Sequence, residues 1–281
     1  MTLKELLKWG ENRLLESGVL EFPVDAWRLL EDTFDIDKNY YILNCNENID
    51  NMFDSDEVSK FKSKIEKRCT RLPLQYITGS QEFMGLDFFV NENVLIPRQD
   101  TETLVLEVLN RINKDSDILD MCTGSGCIIL SICKLSKYNI RATGVDISNK
   151  ALEVAKKNAD NLGIEINYIE SNLFDKIDGK YDIIVSNPPY IRTEEIEKLM
   201  PEVKEFEPLG ALDGQEDGLF FYGEIIEKSD EYLKAGGYLF FEIGYDQGLD
   251  VYKMMENKGF SELNIVKDLA GLDRVIWGRY R

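Results

Sequence analysis

The chain has 281 residues, 43% of them hydrophobic, and a formal net charge of −19 from 52 acidic and 33 basic side chains. That length suffices for one large core or for a core with a small companion domain, and that acidity repels phosphate backbones, so direct nucleic-acid binding is not expected. There is no histidine, which excludes Ser-His-Asp and Cys-His catalysis and every His-based zinc site.

The opening "MTLKELLKWGEN" is charged throughout, and no later segment has the apolar length of a signal peptide or a membrane span. A cytoplasmic protein with no membrane partner is expected. The first eighty residues read as helices. Leu3, Leu6, Leu7, Leu14 and Leu15 recur at helical spacing. In "EFPVDAWRLLEDTF", Pro23 stands where a helix starts, and Ala26, Trp27, Leu29 and Leu30 continue its apolar face. "DSDEVSKFKSKIEKRC" offers Ser55 or Asp56 as a cap for a stripe of Val58, Phe61 and Ile65. Residues 1–78 are therefore read as a small helical bundle.

Short apolar runs flank Gly85 in "EFMGLDFFVNENVLIPR", so residues 79–92 read as a connecting β-hairpin. A helix is expected just after Pro97. From residue 117, strands alternate with helices. The strands are "DILDM", "IRATGVD", "INYIESN", "YDIIVSN", "YLFFEIG" and a closing pair in "LNIVKDLAGLDRVIWGRY". The helix through "LFFYGEIIEKSDEYLKAGG" is expected to end at Gly236-Gly237. The alternation predicts, over residues 93–281, an α/β Rossmann-like doubly wound, mainly parallel seven-stranded sheet. Ligands of such sheets bind beyond the carboxyl ends of the strands. The five cysteines (Cys45, Cys69, Cys122, Cys127 and Cys133) are odd in number and include no CxxC pair, so neither a disulfide framework nor a metal site is expected.

Four motifs fall at those strand ends. "DMCTGSGC" turns from the first strand into its helix. Gly124 and Gly126 let backbone approach a ligand, while Ile129 stands where a dinucleotide fingerprint needs a third glycine. Asp120 would add a negative charge at the mouth and favour a cation. Asp146, ending the second strand, is placed to accept bonds from two ribose hydroxyls. Asn172 and Leu173, after the third, could bond and cover an adenine. After the fourth comes Asn187-Pro188-Pro189-Tyr190. Prolines carry no N–H and stiffen the residue before them. This loop thus offers two fixed carbonyls and an aromatic wall, an array suited to a planar NH₂ group.

That combination resembles the class I S-adenosylmethionine-dependent methyltransferases that modify planar amino groups. More closely, "LQYITGSQEFMGLDFFVNENVLIPRQDTETLV", "DMCTGSGCI", "IIVSNPPYI", "EVKEFEPLGALDGQEDGL" and "KDLAGLDRVIWG" follow in order the pattern of the release-factor glutamine methyltransferases, the PrmC/HemK family. The match runs from about residue 70 to the C-terminus. The resemblance implies methyl transfer from S-adenosylmethionine to the side-chain amide nitrogen (N5) of the glutamine in the Gly-Gly-Gln motif of class 1 peptide chain release factors. It implies cofactor contacts from Asp120, Cys122, Thr123, Gly124, Ser125, Gly126, Asp146, Asn172, Leu173 and Asn187. It implies that Asn187, Pro188, Pro189 and Tyr190 hold the substrate, with Asn187, Pro188 and Tyr190 catalytic. S-adenosylhomocysteine would be the product, the chain a monomer, and residues 1–78 a substrate-docking domain. Two positions depart from the family. Cys122 stands where glycine is usual, and Gln99-Asp100 where Pro-Glu is frequent. The rival readings are an N6-adenine nucleic-acid methyltransferase, which the charge disfavours, a non-catalytic cofactor-binding translation partner, and a dehydrogenase, which Ile129 disfavours.

Overall fold

The computed structural model describes all 281 residues and divides into two compact units. One comprises Met1–Gly79 with Met200–Phe206, the other Ser80–Leu199 with Glu207–Arg281.

The first unit contains α1 (Leu3–Glu16), α2 (Phe22–Phe34), α3 (Lys38–Asn44), α4 (Ser55–Cys69) and α5 (Leu74–Thr78). Capping boxes start α1 and α4: Thr2 pairs with Glu5, and Asp54 with Glu57. The α4 cap is therefore Asp54, ahead of the expected Ser55 or Asp56, because its carboxylate reaches the Glu57 N–H at 2.7 Å. Leu3, Leu6, Leu14, Leu29, Leu30, Phe61 and Ile65 form the core, whereas Leu15 faces solvent. Residues 200–206, expected with the rest of 93–281, belong to this unit instead. Glu202 is the reason. It accepts bonds from Arg68 Nη2 at 2.9 Å and from Arg71 Nε at 2.7 Å and Nη2 at 2.6 Å. Arg68 is itself buried and also bound to Asp25 at 2.7 Å. The two guanidinium groups hold the Glu202 carboxyl down at about 2 against its burial.

The second unit opens with an antiparallel hairpin, β1 (Ser80–Phe83) and β2 (Leu86–Phe89). Met84 and Gly85 both have positive φ, as a two-residue hairpin turn requires. A single-turn helix at Gln99–Thr101 precedes α6 (Glu102–Arg111), so the regular helix begins later than Pro97 suggests. The sheet then builds as β3 (Ser116–Met121), α7 (Cys127–Leu135), β4 (Ile140–Asp146), α8 (Asn149–Leu162), β5 (Asn167–Glu170) and β6 (Tyr181–Ser186). Two short helices follow, α9 (Thr193–Ile196) and, in the helical unit, α10 (Pro201–Lys204). The chain closes with α11 (Phe220–Tyr232), β7 (Leu233–Glu242), α12 (Gly248–Lys258), β8 (Ser261–Lys267) and β9 (Asp273–Arg279).

Strand order is β5-β4-β3-β6-β7-β9-β8, seven strands as expected, with β9 antiparallel to both neighbours. Alternate residues feed opposite faces. Ile118, Ile183, Val185 and Phe240 pack with α6 and α7, while Leu119, Ile184, Leu239 and Phe241 pack with α11 and α12. Both faces are apolar, as a helix-covered sheet demands. Gly236-Gly237 do not end α11, which stops at Tyr232; they lie within β7 where its register with β6 shifts. Gly236 has φ +76°, and a Cβ on Gly237 would sit 2.9 Å from the Asp182 carbonyl, so these glycines make a bulge.

Candidate active site

Register brings the motifs together. Met121 pairs with Val145 on one side and Ser186 on the other. Cys122, Asp146 and Asn187 therefore leave the sheet side by side, where strand order reverses. The Ser186 hydroxyl donates to the Met121 carbonyl at 2.7 Å and ties the β6 end to the β3 end. Above them lies a cavity of about 330 Å³, walled by Cys122–Ser125, Asp146, Ile147, Asn172, Leu173, Asn187 and Pro189, with Arg98, Pro208 and Phe221 completing it.

Asp146 is the fixed acceptor of this wall. Gly124 N–H donates to its Oδ2 at 2.9 Å and Ser148 N–H to its Oδ1 at 2.9 Å. Burial nevertheless pushes its pKa up. Gly124 has open space where a side chain would be. Gly126 does not reach the cavity wall; a Cβ there would lie 3.0 Å from Leu130 Cδ1 and 3.3 Å from Ala155 Cβ. Its role is close packing of the turn on the helices. Cys122 lies in the wall and has φ 61°, the left-handed region that favours glycine. Leu173, also in the wall, has φ 47°. Burial and nearby Asp146 push the Cys122 thiol up, so it is a neutral wall group.

Asp120 departs from expectation. It is not at the mouth and not in the wall, but wholly buried beneath the turn. Its Oδ2 accepts the Thr123 hydroxyl at 2.6 Å and its Oδ1 has no partner. Desolvation, with Asp146 adding to it, pushes its carboxyl up to about 7. The four-residue loop is likewise divided. Asn187 and Pro189 line the cavity; Pro188 and Tyr190 do not. The Tyr190 hydroxyl instead donates to Glu242 Oε1 at 3.2 Å.

Two supports escaped the sequence reading. Buried Asn158 accepts from Phe89 N–H at 2.7 Å and donates to the carbonyls of Phe89 at 3.0 Å and Ser125 at 2.9 Å, stapling the hairpin to the turn. Its signal was an amide on the Ala151, Leu152, Ala155, Ala159 face of α8. Glu207 is held by Arg98 Nη2 at 2.6 and 2.8 Å. Nothing local in the sequence joins those two.

A doubly wound sheet with an acid-capped glycine turn and a largely apolar cavity at its switch point defines the Rossmann-like class of fold. The donor set suits a nucleoside: a backbone-held carboxylate for hydroxyls and apolar Leu173, Ile147 and Phe221 for a base. Residues 98–203 match the family described as Methyltransferase small domain, and residues 5–79 the PrmC N-terminal domain. The chain is 39% identical to the release factor glutamine methyltransferase of Geobacter sulfurreducens, over 99% of this chain and 96% of that one. It is 44% identical to the release factor glutamine methyltransferase of Fusobacterium nucleatum, over 94% of this chain and 75% of that one. Among solved structures, a methyltransferase from Pyrococcus furiosus shares the fold at TM-score 0.53, with 14% identity over 79% of this chain and 98% of that one. The chain belongs to the release factor glutamine methyltransferase family.

Proposed function

We propose that this protein methylates the side-chain amide nitrogen (N5) of the glutamine in the Gly-Gly-Gln motif of class 1 release factors, using S-adenosylmethionine. The observation carrying this reading is the kinship over nearly the whole chain, together with Asn187 and Pro189 in the wall of a nucleoside-sized cavity at the switch point.

When bound, the cofactor supplies an electrophilic methyl group on a sulfonium. Asp146 would accept the ribose hydroxyls, and Asn172 and Leu173 would meet the adenine, all three lining the cavity. An amide nitrogen is a weak nucleophile because its lone pair is delocalised. With no histidine in the chain, positioning has to do what base catalysis does elsewhere. Asn187 Oδ1 and the Pro188 carbonyl each accept one N–H of the substrate amide. They aim the nitrogen and stabilise the positive charge that develops on it. Tyr190, which stands outside the nucleoside-sized cavity, would bound the amide plane from the substrate side. The cofactor would supply the methyl group and keep the C–S electron pair as a neutral thioether, and the spare N–H proton of the substrate amide would leave to water, no histidine being present to take it. Asn187→Ala should lower kcat about 10- to 1,000-fold, with cofactor affinity falling less. Asp146→Ala should weaken chiefly cofactor binding.

In this reading the helical unit, which carries exposed Leu20, Ile42 and Leu43, docks the release factor, and the protein acts as a cytoplasmic monomer. Serine at positions 42 and 43 should then raise KM for the intact factor. Incubation with labelled S-adenosylmethionine and either a release factor or DNA tests the whole assignment. Label on the Gly-Gly-Gln glutamine supports it; label on DNA, or on neither, overturns it.

A further inference from the structure

Tyr190 is gripped from several sides, by Glu242 and Gln247, which lie outside the family motifs, and by two glycines of "EVKEFEPLGALDGQEDGL". Its hydroxyl donates to Glu242 Oε1 at 3.2 Å, and Gln247 Nε2 donates to its carbonyl at 2.9 Å. Gln247 is in turn fixed, its Oε1 accepting Gly244 N–H at 2.9 Å and lying 3.3 Å from the Tyr222 hydroxyl. That hydroxyl also donates to the Glu242 carbonyl at 3.0 Å. Two glycines close the cradle. A Cβ on Gly214 would lie 2.7 Å from Tyr190 Cα, and one on Gly218 would lie 2.4 Å from the Tyr190 carbonyl oxygen. Neither position admits a side chain while Tyr190 keeps its place.

Glu242 is costly to hold there. It is 2% exposed and its Oε2 has no hydrogen-bond partner; the Thr101 hydroxyl, the Arg274 charge and Tyr190 offset only part of the burial, which still pushes its carboxyl up. A buried acid with an unpartnered oxygen destabilises a fold unless something else selects it. Register explains its reach. Ser186 pairs with Phe241, so Glu242 stands at the end of β7 beside Asn187 at the end of β6. Burial and Glu242 together push the Tyr190 pKa up, so the phenol stays a donor.

We propose that Glu242 is a positioning residue for methyl transfer, acting through the Tyr190 hydroxyl to fix the ring that sets the substrate amide plane, with Gln247 holding the backbone of the same residue. This rests on the glutamine-methylation reading above. None of Tyr190, Glu242 and Gln247 lines the cavity, so loss of the cradle should lower turnover and spare cofactor binding.

The test measures kcat and KM on an intact release factor, and cofactor affinity by calorimetry, for wild type, Glu242→Ala, Glu242→Gln, Tyr190→Phe and the Ala/Phe double variant. Glu242→Ala and Tyr190→Phe should each lower kcat about tenfold or more, as expected when a reacting group loses its alignment. Cofactor affinity should stay within about twofold in both. Glu242→Gln keeps an acceptor for the phenol and should recover activity to within about threefold of wild type. The double variant should be no worse than the worse single, because the two residues act as one unit. Losses that multiply in the double variant, cofactor affinity falling in step with kcat, or Tyr190→Phe turning over like wild type would each overturn the proposal. Should Glu242→Ala fail to fold, Tyr190→Phe and Glu242→Gln still decide it. A wild type that leaves the release factor unmethylated would sink the underlying reading instead.

Discussion

Replacing Asp120 with Asn should make the protein's stability less sensitive to alkaline pH. Asp120 is fully buried, bonded through one oxygen to Thr123 and left with the other unpartnered. Its carboxyl is pushed up to about 7. An unfolded Asp titrates near 3.9, so the folded state prefers the proton. A carboxyl raised in this way contributes its full stability below about pH 4 and loses it as pH climbs through about 7. Worked from those two values, the loss is about 1.5 kcal/mol at pH 5 and about 4 kcal/mol at pH 8.5. Asn does not titrate. Its Oδ1 can keep the Thr123 bond, while its NH₂ replaces the unpartnered oxygen at a pH-independent cost of about 1–3 kcal/mol. Asp120→Asn should therefore gain about 3 kcal/mol on wild type between pH 5 and 8.5, whatever its offset at pH 5. Urea denaturation followed by Trp277 fluorescence, with Trp9 and Trp27 changed to Phe, reads this difference. A gap between the two proteins that stays constant across that range would show that Asp120 titrates normally and that its burial has been misjudged.

Cys122→Gly should relieve a left-handed side chain worth about 1–2 kcal/mol, against about 0.5–1 kcal/mol of added unfolded-state freedom. Melting temperature should change little and cofactor affinity should hold or tighten, whereas Cys122→Val should destabilise; the reverse order of the two variants would contradict the backbone argument. Asn158→Ala removes three bonds to backbone groups, two half-buried and one buried, and should cost about 2 kcal/mol or more. Because Ser125 lies in the cavity wall, calorimetry should also find weaker cofactor binding. Glu202→Ala leaves Arg71 without its carboxylate and Arg68 with Asp25 alone, and losing this half-buried acid should cost about 2 kcal/mol, so amide exchange in α4 should speed up about 10-fold or more. Since the Glu202 carboxyl is held down at about 2, the same stabilisation should be present in wild type above about pH 4.5 and fade as pH falls toward 2, which exchange at pH 3 would reveal.

The amino-acid order by itself determined the architecture and which strand ends carry the motifs. Short, near-continuous apolar runs in "DILDM", "IIVSN" and "YLFFE" specify strands buried on both faces. Glycines, acids and prolines directly after those runs fall at strand ends, and parallel pairing lines up the ends. The stiff, donor-poor loop at 187–190 is legible because proline acts on its immediate neighbours. What the tertiary structure decided are the partners. Tyr190 meets Glu242 52 residues away, Asn158 meets Ser125 33 away, and Arg68 meets Glu202 134 away. No local period encodes such pairs. Asp120 shows the same limit. Its place in the motif was legible, but whether its charge faces ligand or lies beneath the turn depends on packing from β3, β4 and β6 together. Local sequence sets backbone preference and which face is apolar; burial and hydrogen-bond partnership are properties of the folded neighbourhood, and there the working roles of these polar groups are set.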